Sequence, residues 1–417
     1  MSPVTLDCRS ETGTFRHAEH DRDPGEGMSA YRSAPQLRDQ PIIITGGGTG
    51  GHTYPALTTI QALQSVMRQV GTEPRLLWVG VTSGLEARIA RENNVPFKAI
   101  TTGKLRRSPN AKELWQNFTD VFRIPIGIGQ AVWTVWRTKP AVVLSTGGFV
   151  SVPIGVAAWL FRRPYVMHEQ ILTLGLANRI LSRFATKILV SHPSSVEHLP
   201  PRARSRAVVT GNPIRPQVLA GDRERGQKFF GLDPRLPTIA VVGGALGARQ
   251  VNDLVAAILP DVLPHAQVVH QCGKTTYAQM QQVEANLPPQ LRERYRLVEY
   301  LGDELPDVYA AADIMVARAG AGTVAELTAL GKACILIPLI PTGGDEQRRT
   351  ARHLADSGAA RMLSGDDATP AALRGEVMAL LQDPARRERL ERSAREHGRP
   401  DAADRVVHEL LTAARLD

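Results

Sequence analysis

Cysteine is nearly absent. The three present, Cys8, Cys272 and Cys334, show no metal-ligand spacing and no disulfide framework, which suits a reducing compartment. Aromatic residues make up only 5% of the chain and no basic low-complexity tail occurs, so nucleic acid is not an expected partner. No run of about 18 unbroken apolar residues appears, and no membrane-spanning helix is expected. The N-terminus lacks the apolar core of a signal peptide. Residues 1–40 are poor in aliphatics and mixed in charge, and read as a disordered extension with Met28 as an alternative start.

Glycine and apolar residues are plentiful. With 417 residues, 43% apolar, the chain is too long for one ordinary core, and two domains are expected. A net charge of +9 favours anionic partners such as phospholipid or a nucleotide-linked substrate.

The stretch Pro41–Ala56 organises the reading. A β-branched run, Ile42–Ile44, suits a buried strand, and Gly46–Gly48, Gly50 and Gly51 follow it. A helix pattern is expected from about Pro55. Strand, glycine turn and helix start together make an anion site, because glycine admits a phosphate to the backbone and the first helical N–H groups point at it. Gly46, Gly48 and Gly51 satisfy the dinucleotide spacing G-x-G-x-x-G. That reading also needs an acidic residue ending the second strand, and Arg75–Gly80 runs into Val81-Thr82 instead. A Walker loop is excluded, since no Gly-Lys-Ser/Thr follows. His52 places a titratable ring at the mouth of the loop, where it serves acid–base chemistry or merely packs.

Short apolar strands then alternate with helical patterns: 75–80, 97–100, 141–145, 165–168 and 187–190. Such alternation predicts a doubly wound parallel sheet with ligands at the strand C-termini. Two strand-end loops stand out, Thr146–Pro153 and His168-Glu169-Gln170; the latter pair of ionisable residues suits acid–base or hydroxyl contacts, or simply stitches loops together. Trp115, Phe118 and Phe122 share one helical face, flanked by Lys104, Arg106, Arg107 and Arg123. An apolar face rimmed by cations suits an anionic membrane surface.

A turn cluster, Thr210–Arg215, closes the first half, with the linker between about Pro200 and Pro216. A second strand–glycine–helix unit, Thr238–Arg249, repeats the first, with Arg249 as a counter-charge for a second phosphate. The strand 314–317 enters Arg318–Leu327, where Ala321, Gly322, Thr323, Val324 and Ala325 are small enough for a ligand to lie on the backbone. Thr323 and Glu326 have capping-box spacing for a helix from Val324; alternatively the Glu326 carboxylate accepts both ribose hydroxyls. The strand 334–337 leads to Asp345-Glu346-Gln347, a helix start placed to read sugar hydroxyls. Residues 383–416 read as Arg- and Glu-rich helix.

Taken in order, these motifs resemble the MurG family, the GT-B peptidoglycan N-acetylglucosaminyltransferases of glycosyltransferase family 28. The matching stretches are Gly47–His52, Gly147–Pro153, His168–Gln170, Gly175–Asn178, Gly211–Arg215, Gly243–Ala248, Arg318–Ala321 and Gly344–Gln347, spanning about residues 41 to 360. The resemblance implies two Rossmann-like domains facing across a cleft: an acceptor and membrane-facing domain at 41–205, a UDP-sugar domain at 216–395, and a C-terminal helix at 396–417. It implies inverting transfer of N-acetylglucosamine from its UDP donor to the 4-hydroxyl of an undecaprenyl-linked acceptor, at the cytoplasmic face of the membrane, without a cofactor or metal. Uracil is expected near Leu301, ribose on Glu326, diphosphate near Ala245–Gly247 and the sugar at Gln347, with Arg215 at the cleft. Thr49, Gly50, Gly51 and His52 are expected to face the acceptor diphosphate, with His52 as base. Three positions depart from the family: Ala245 stands for a common Ser, and Ile171 and Thr350 each for Asn. They bear on donor affinity and sugar identity. A glycolipid glycosyltransferase with another sugar or acceptor, a binding protein without turnover, and a dinucleotide-dependent oxidoreductase are the alternatives.

Overall fold

The computed structural model describes residues 40–102, 111–244, 247–339 and 345–414; for residues 111–122 it describes only the helix backbone. The expected N-terminal extension, the basic residues Lys104, Arg106 and Arg107, and Ala245 lie outside the described residues, as do the side chains of Trp115, Phe118 and Phe122.

Two parallel sheets form, in chain order. The first contains β1 (Ile42–Thr45), β2 (Leu76–Gly80), β3 (Phe97–Ala99), β4 (Val142–Ser145), β5 (Tyr165–Glu169), β6 (Lys187–Val190) and β7 (Ala207–Val209). Their spatial order is β3-β2-β1-β4-β5-β6-β7. The second contains β8 (Thr238–Val242), β9 (Gln267–Gln271), β10 (Tyr295–Val298), β11 (Ile314–Ala317), β12 (Cys334–Leu336) and β13 (Arg361–Met362), ordered β10-β9-β8-β11-β12-β13. Strands such as Ile42-Ile43-Ile44 are apolar throughout because helices cover both faces, so period-2 alternation has no reason to appear. Each sheet carries one apolar cluster on each face.

Strand order reverses between β1 and β4, and again between β8 and β11. At a reversal, neighbouring crossovers leave to opposite sides and open a crevice at the strand C-termini. The glycine loops after β1 and β8 are therefore placed by topology, not by their own sequence.

Two element boundaries differ from expectation. The helix expected from Pro55 starts at Gly50, with Thr49 preceding it, and runs to Gln69. Pro55 sits inside it; lacking an N–H, it leaves the Gly51 carbonyl without a helical donor. The stretch 383–416 is two helices, Pro384–His397 and Ala402–Ala413. They part at Gly398-Arg399-Pro400, where any Cβ on Gly398 would stand 2.5 Å from the Thr328 carbonyl.

That break sends the last helix back across the molecule. Val406, Val407, Leu410 and Leu411 are buried with Ile42, Leu63 and Val142 in the core of the first sheet. Full burial of each such side chain is worth roughly 1.5–3 kcal/mol. Lys187 at the start of β6 pairs with Glu409 on the same helix. The chain's end thus ties the second half to the first.

Candidate active site between the two sheets

A cavity of about 710 Å³ lies between the halves. The first half lines it with Thr49, Gly51, His52, Phe149 and Gln170, and the second with Ala319, Gly320, Ala321, Glu346 and Gln347. Residues about 150 to 300 positions apart in sequence meet here because both switch points face the same space.

The first glycine loop is held from beneath. Glu86 is fully buried, and its carboxylate accepts from Gly48 N at 3.2 Å and Val81 N at 3.0 Å. Gly48 has φ +86°, a conformation glycine adopts without strain. A Cβ on Gly148 would lie 2.4 Å from the Gly47 carbonyl, so the loops after β1 and β4 touch through bare backbone. The Gly48 N–H is thereby spent on Glu86. The N–H groups of Gly50 and Gly51 precede the first helical bond, Thr53 N to Thr49 O, and have no helical partner.

His52 is oriented by a chain of hydrogen bonds that begins far from it. His168 Nε2 lies 2.8 Å from the Gly211 carbonyl, an acceptor only, so this nitrogen carries the proton. His168 Nδ1 then accepts from Gln170 Nε2 at 3.1 Å, and the same amide donates to the Thr146 carbonyl at 2.7 Å. That orientation turns Gln170 Oε1 toward His52. The His52 Nδ1 faces two acceptors, Thr146 O at 2.8 Å and Gln170 Oε1 at 3.1 Å, and must hold the proton. Its Nε2 is left as the basic lone pair, with no hydrogen bond to it among the described residues. Thr146 Oγ1 donates to the His52 carbonyl at 2.7 Å and fixes the backbone as well.

His168 and Glu169 are both engaged by neighbouring groups, although Glu169 lines the cavity. His168 is fully buried, and burial holds its pKa down to about 4. Glu169 accepts from Asn178 Nδ2 at 2.9 Å and Gly175 N at 3.1 Å, and burial outweighs these bonds to raise its pKa to about 7. Both residues stitch loops. Ile171 and Thr350, two departures from the family pattern, line the cavity.

On the second half, the helix expected from Val324 starts at Ala321, after Gly320. Thr323 is therefore within the helix, and no capping box forms with Glu326. The N–H groups of Ala321, Gly322 and Thr323 precede the first helical bond, Val324 N to Gly320 O, and make an anion site beside the cavity. Glu326 is 8% exposed and bonds elsewhere. Its Oε1 accepts from Arg215 Nη2 at 2.9 Å and Nε at 3.1 Å, and its Oε2 from Tyr309 at 3.2 Å. Burial opposes the Arg215 charge, but the Glu326 carboxylate outweighs it and raises the Arg215 pKa.

The remaining expected residues are spread around this centre. Val324 and Ala325 continue the helix into a smaller adjoining cavity. Gln347 accepts from Leu339 N at 2.9 Å and lines the main cavity. Leu301 is 3% exposed within the second half's core, so a ligand there would meet its backbone. Gly247 has φ +82°, and a Cβ would lie 2.1 Å from the Cys272 carbonyl. Arg249 is exposed and lies 3.7 Å from Asp253, one turn further along its helix. Glu86 and Tyr309 were not singled out from the sequence, and Thr146 only as the start of a loop; nothing local marks their contacts, since each acts on a residue brought close only by folding.

Residues 42–190 match the model of the glycosyltransferase family 28 N-terminal domain, and residues 238–406 that of the C-terminal domain. A Treponema denticola protein named UDP-N-acetylglucosamine–N-acetylmuramyl-(pentapeptide) pyrophosphoryl-undecaprenol N-acetylglucosamine transferase is 37% identical over 341 residues, covering 79% of this chain and 85% of its own. A Bacillus cereus protein of the same name, numbered 2, is 37% identical over 346 residues, covering 82% and 92%. The crystal structure of Acinetobacter baumannii MurG superposes with a TM-score of 0.69 at 26% identity, covering 89% of this chain and 99% of that one. These likenesses leave no support for a dinucleotide-dependent oxidoreductase.

Replacing Gln170 by Ala should free the His52 ring. Turnover is expected to fall about a hundredfold with little change in KM, as misplacement of a reacting group does. Nitrogen-15 NMR should show His52 keeping its Nδ1–H tautomer, since the Thr146 carbonyl still accepts at 2.8 Å, but with its ring resonances shifted by loss of the Gln170 acceptor; an unchanged spectrum would remove the orienting role.

The buried neutral His168 also makes stability pH-dependent. Its native pKa, about 4, lies below its unfolded value of 6.5, so its contribution is complete above pH 6.5 and drains away as pH falls toward 4. The loss is about 3 kcal/mol at most. Urea unfolding of His168→Gln should show a shallower fall over that range, and an equal slope would contradict the assignment.

Proposed function

The chain belongs to glycosyltransferase family 28 and is an N-acetylglucosaminyltransferase; we propose that it moves N-acetylglucosamine from UDP to the 4-hydroxyl of undecaprenyl-diphospho-muramoyl-pentapeptide. The observation that carries the site assignment is the His52 ring, held with Nε2 as its lone pair in a cavity that the second half closes with a helix start. In the proposed step the acceptor hydroxyl oxygen bonds to the anomeric carbon from the face opposite the diphosphate. The bond from that carbon to the diphosphate oxygen breaks, and its electron pair leaves with UDP. The hydroxyl proton goes to His52 Nε2. Configuration at the anomeric carbon inverts because attack and departure are in line.

The donor belongs to the second half in this reading. The helix N-terminus at Ala321–Thr323 and the loop around Gly247 would take the diphosphate, whose developing charge backbone N–H groups stabilise. Glu326 would accept the ribose hydroxyls on the lone pairs that Arg215 and Tyr309 leave free. Gln347 would read the sugar. The loop Thr49–Gly51 would face the acceptor diphosphate. We divide the chain between β7 and Pro216, with the last helix returning to the acceptor half.

We place the enzyme peripherally on the cytoplasmic face of the membrane. No helix among the described residues is long and apolar enough to cross a bilayer. Support for surface contact comes from three tryptophans on the acceptor half, Trp133, Trp136 and Trp159, that are 51%, 57% and 55% exposed. Exposed Ile126, Leu160 and Ile180 belong to the same helices or their neighbour, and Arg137, Lys139, Arg162, Arg179 and Arg183 are close in sequence. Lys98 Nζ stands 3.9 Å from the Trp133 ring centroid. Tryptophan with adjacent cations suits an anionic interface.

Supplied with UDP-N-acetylglucosamine and a short-chain lipid acceptor, the protein should release UDP only when the acceptor is present; release independent of acceptor would sink the proposal. Glu326→Ala should raise the donor KM about tenfold through two lost hydrogen bonds. Wild-type KM would instead confine Glu326 to its contacts with Arg215 and Tyr309.

Changing both Trp133 and Trp136 to Ser should weaken sedimentation with anionic liposomes while sparing turnover on a soluble acceptor. Equal binding would remove the membrane contact at this surface.

A further inference from the structure

We infer that His192, His353 and His397 form a binding site for a divalent transition metal such as Zn²⁺, set across the junction of the two halves. Nothing in the transfer reaction uses these side chains. One ring nitrogen of each lies within 4.8 Å of those of the other two. His192 Nε2 and His353 Nε2 face each other at 3.2 Å. Tetrahedral zinc with nitrogen ligands at about 2.0–2.1 Å needs those nitrogens about 3.4 Å apart, so small side-chain rotations complete the set.

The three ligands come from separate segments. His192 follows β6 of the first sheet, His353 lies on the helix Glu346–Asp356 that also carries Gln347, and His397 ends the helix before the last one crosses back. An ion held by all three would therefore resist separation of the halves. Its second shell is partly present. With the metal on Nε2, the His192 proton resides on Nδ1, 2.8 Å from the Ser194 hydroxyl oxygen, at the loss of a 3.2 Å contact from Ser194 N. A cavity of about 70 Å³ adjoins the cluster and leaves space for a water at the fourth position. Asn212 lines it, 5% exposed, and neither its amide oxygen nor its nitrogen has a partner. A metal-bound water would supply one.

Arg399 shares the cavity and opposes any cation. Its Nη1 donates to the Glu396 and Gly398 carbonyls at 3.1 and 2.7 Å, so its charge is fixed nearby, and affinity falls below that of a thiolate site. Three imidazoles and no carboxylate select Zn²⁺, Ni²⁺ or Cu²⁺ over Mg²⁺ and Ca²⁺.

The test uses tag-free full-length protein and Zn²⁺ in competition with a chromophoric chelator. One equivalent should bind, and His353→Ala and His397→Ala should each lower affinity about tenfold or more. His265→Ala, at an exposed histidine elsewhere, should leave it unchanged. Zn²⁺ should raise the thermal midpoint of the wild type and not of the two variants, whose folding circular dichroism checks; His353→Gln serves if His353→Ala does not fold. Co²⁺ should give visible bands in the wild type that the variants lack. Absence of a bound equivalent in the wild type, or equal affinity in the folded variants, overturns the site.

Discussion

The chain of hydrogen bonds from the Gly211 carbonyl through His168 and Gln170 to His52 governs the acceptor half of the site. Each link has one permitted proton arrangement because the first acceptor is a carbonyl and the last is another. A carbonyl cannot donate, so polarity propagates along the chain without ambiguity. The ring at its end keeps Nε2 as an open lone pair among the described residues, as the proposed proton transfer requires. His168 and Gln170 are buried, so breaking the bond between them leaves a polar group without a partner in a dry environment, where the penalty is largest. Gly211 belongs to the connection between the halves, so the orientation of the His52 ring depends on that segment.

The second organising contact is the ion pair of Arg215 with Glu326. It joins the end of that same connection to the helix whose first N–H groups face the cleft. Arg215 therefore stands beside the proposed donor site and the hinge together. Among the described residues the halves are joined by the connection, this ion pair, the returning helix and the His192–His353 contact.

Much of the fold was legible in order. Ile42–Ile44 followed by glycines, and Thr238–Val242 followed by glycines, announced two strand–turn–helix units because a buried parallel strand needs unbroken apolar residues and a close backbone approach needs glycine. Helix starts were read too late at both sites, at Pro55 for Gly50 and at Val324 for Ala321. Glycine and alanine carry little start signal, and Pro or Thr further on carry more, so local rules favoured the wrong residue. The split at Gly398 was missed for a related reason. Arg- and Glu-rich composition continues through it, and what forbids a side chain at Gly398 is the Thr328 carbonyl, seventy residues earlier.

Residue types and their order settled the class of chemistry: two anion-binding glycine turns, a histidine at the first, a carboxylate near the second, and the family these imply. Tertiary structure alone decided what those residues do. Glu326 might have capped a helix by spacing, and is instead paired with Arg215 and Tyr309. His168 is a buried support for Gln170, whose own sequence signal was only its place in a motif, and Glu169 ties Asn178 and Gly175 into the next loop. The exposed tryptophans, Trp133, Trp136 and Trp159, carry no helical-stripe signal of their own, and only the packing of their helices leaves them at the surface. The difference is physical. Backbone conformation and burial follow from local sequence and its period, whereas a proton's position follows from which acceptors stand within about 3 Å, and those come from segments that only the folded chain brings together.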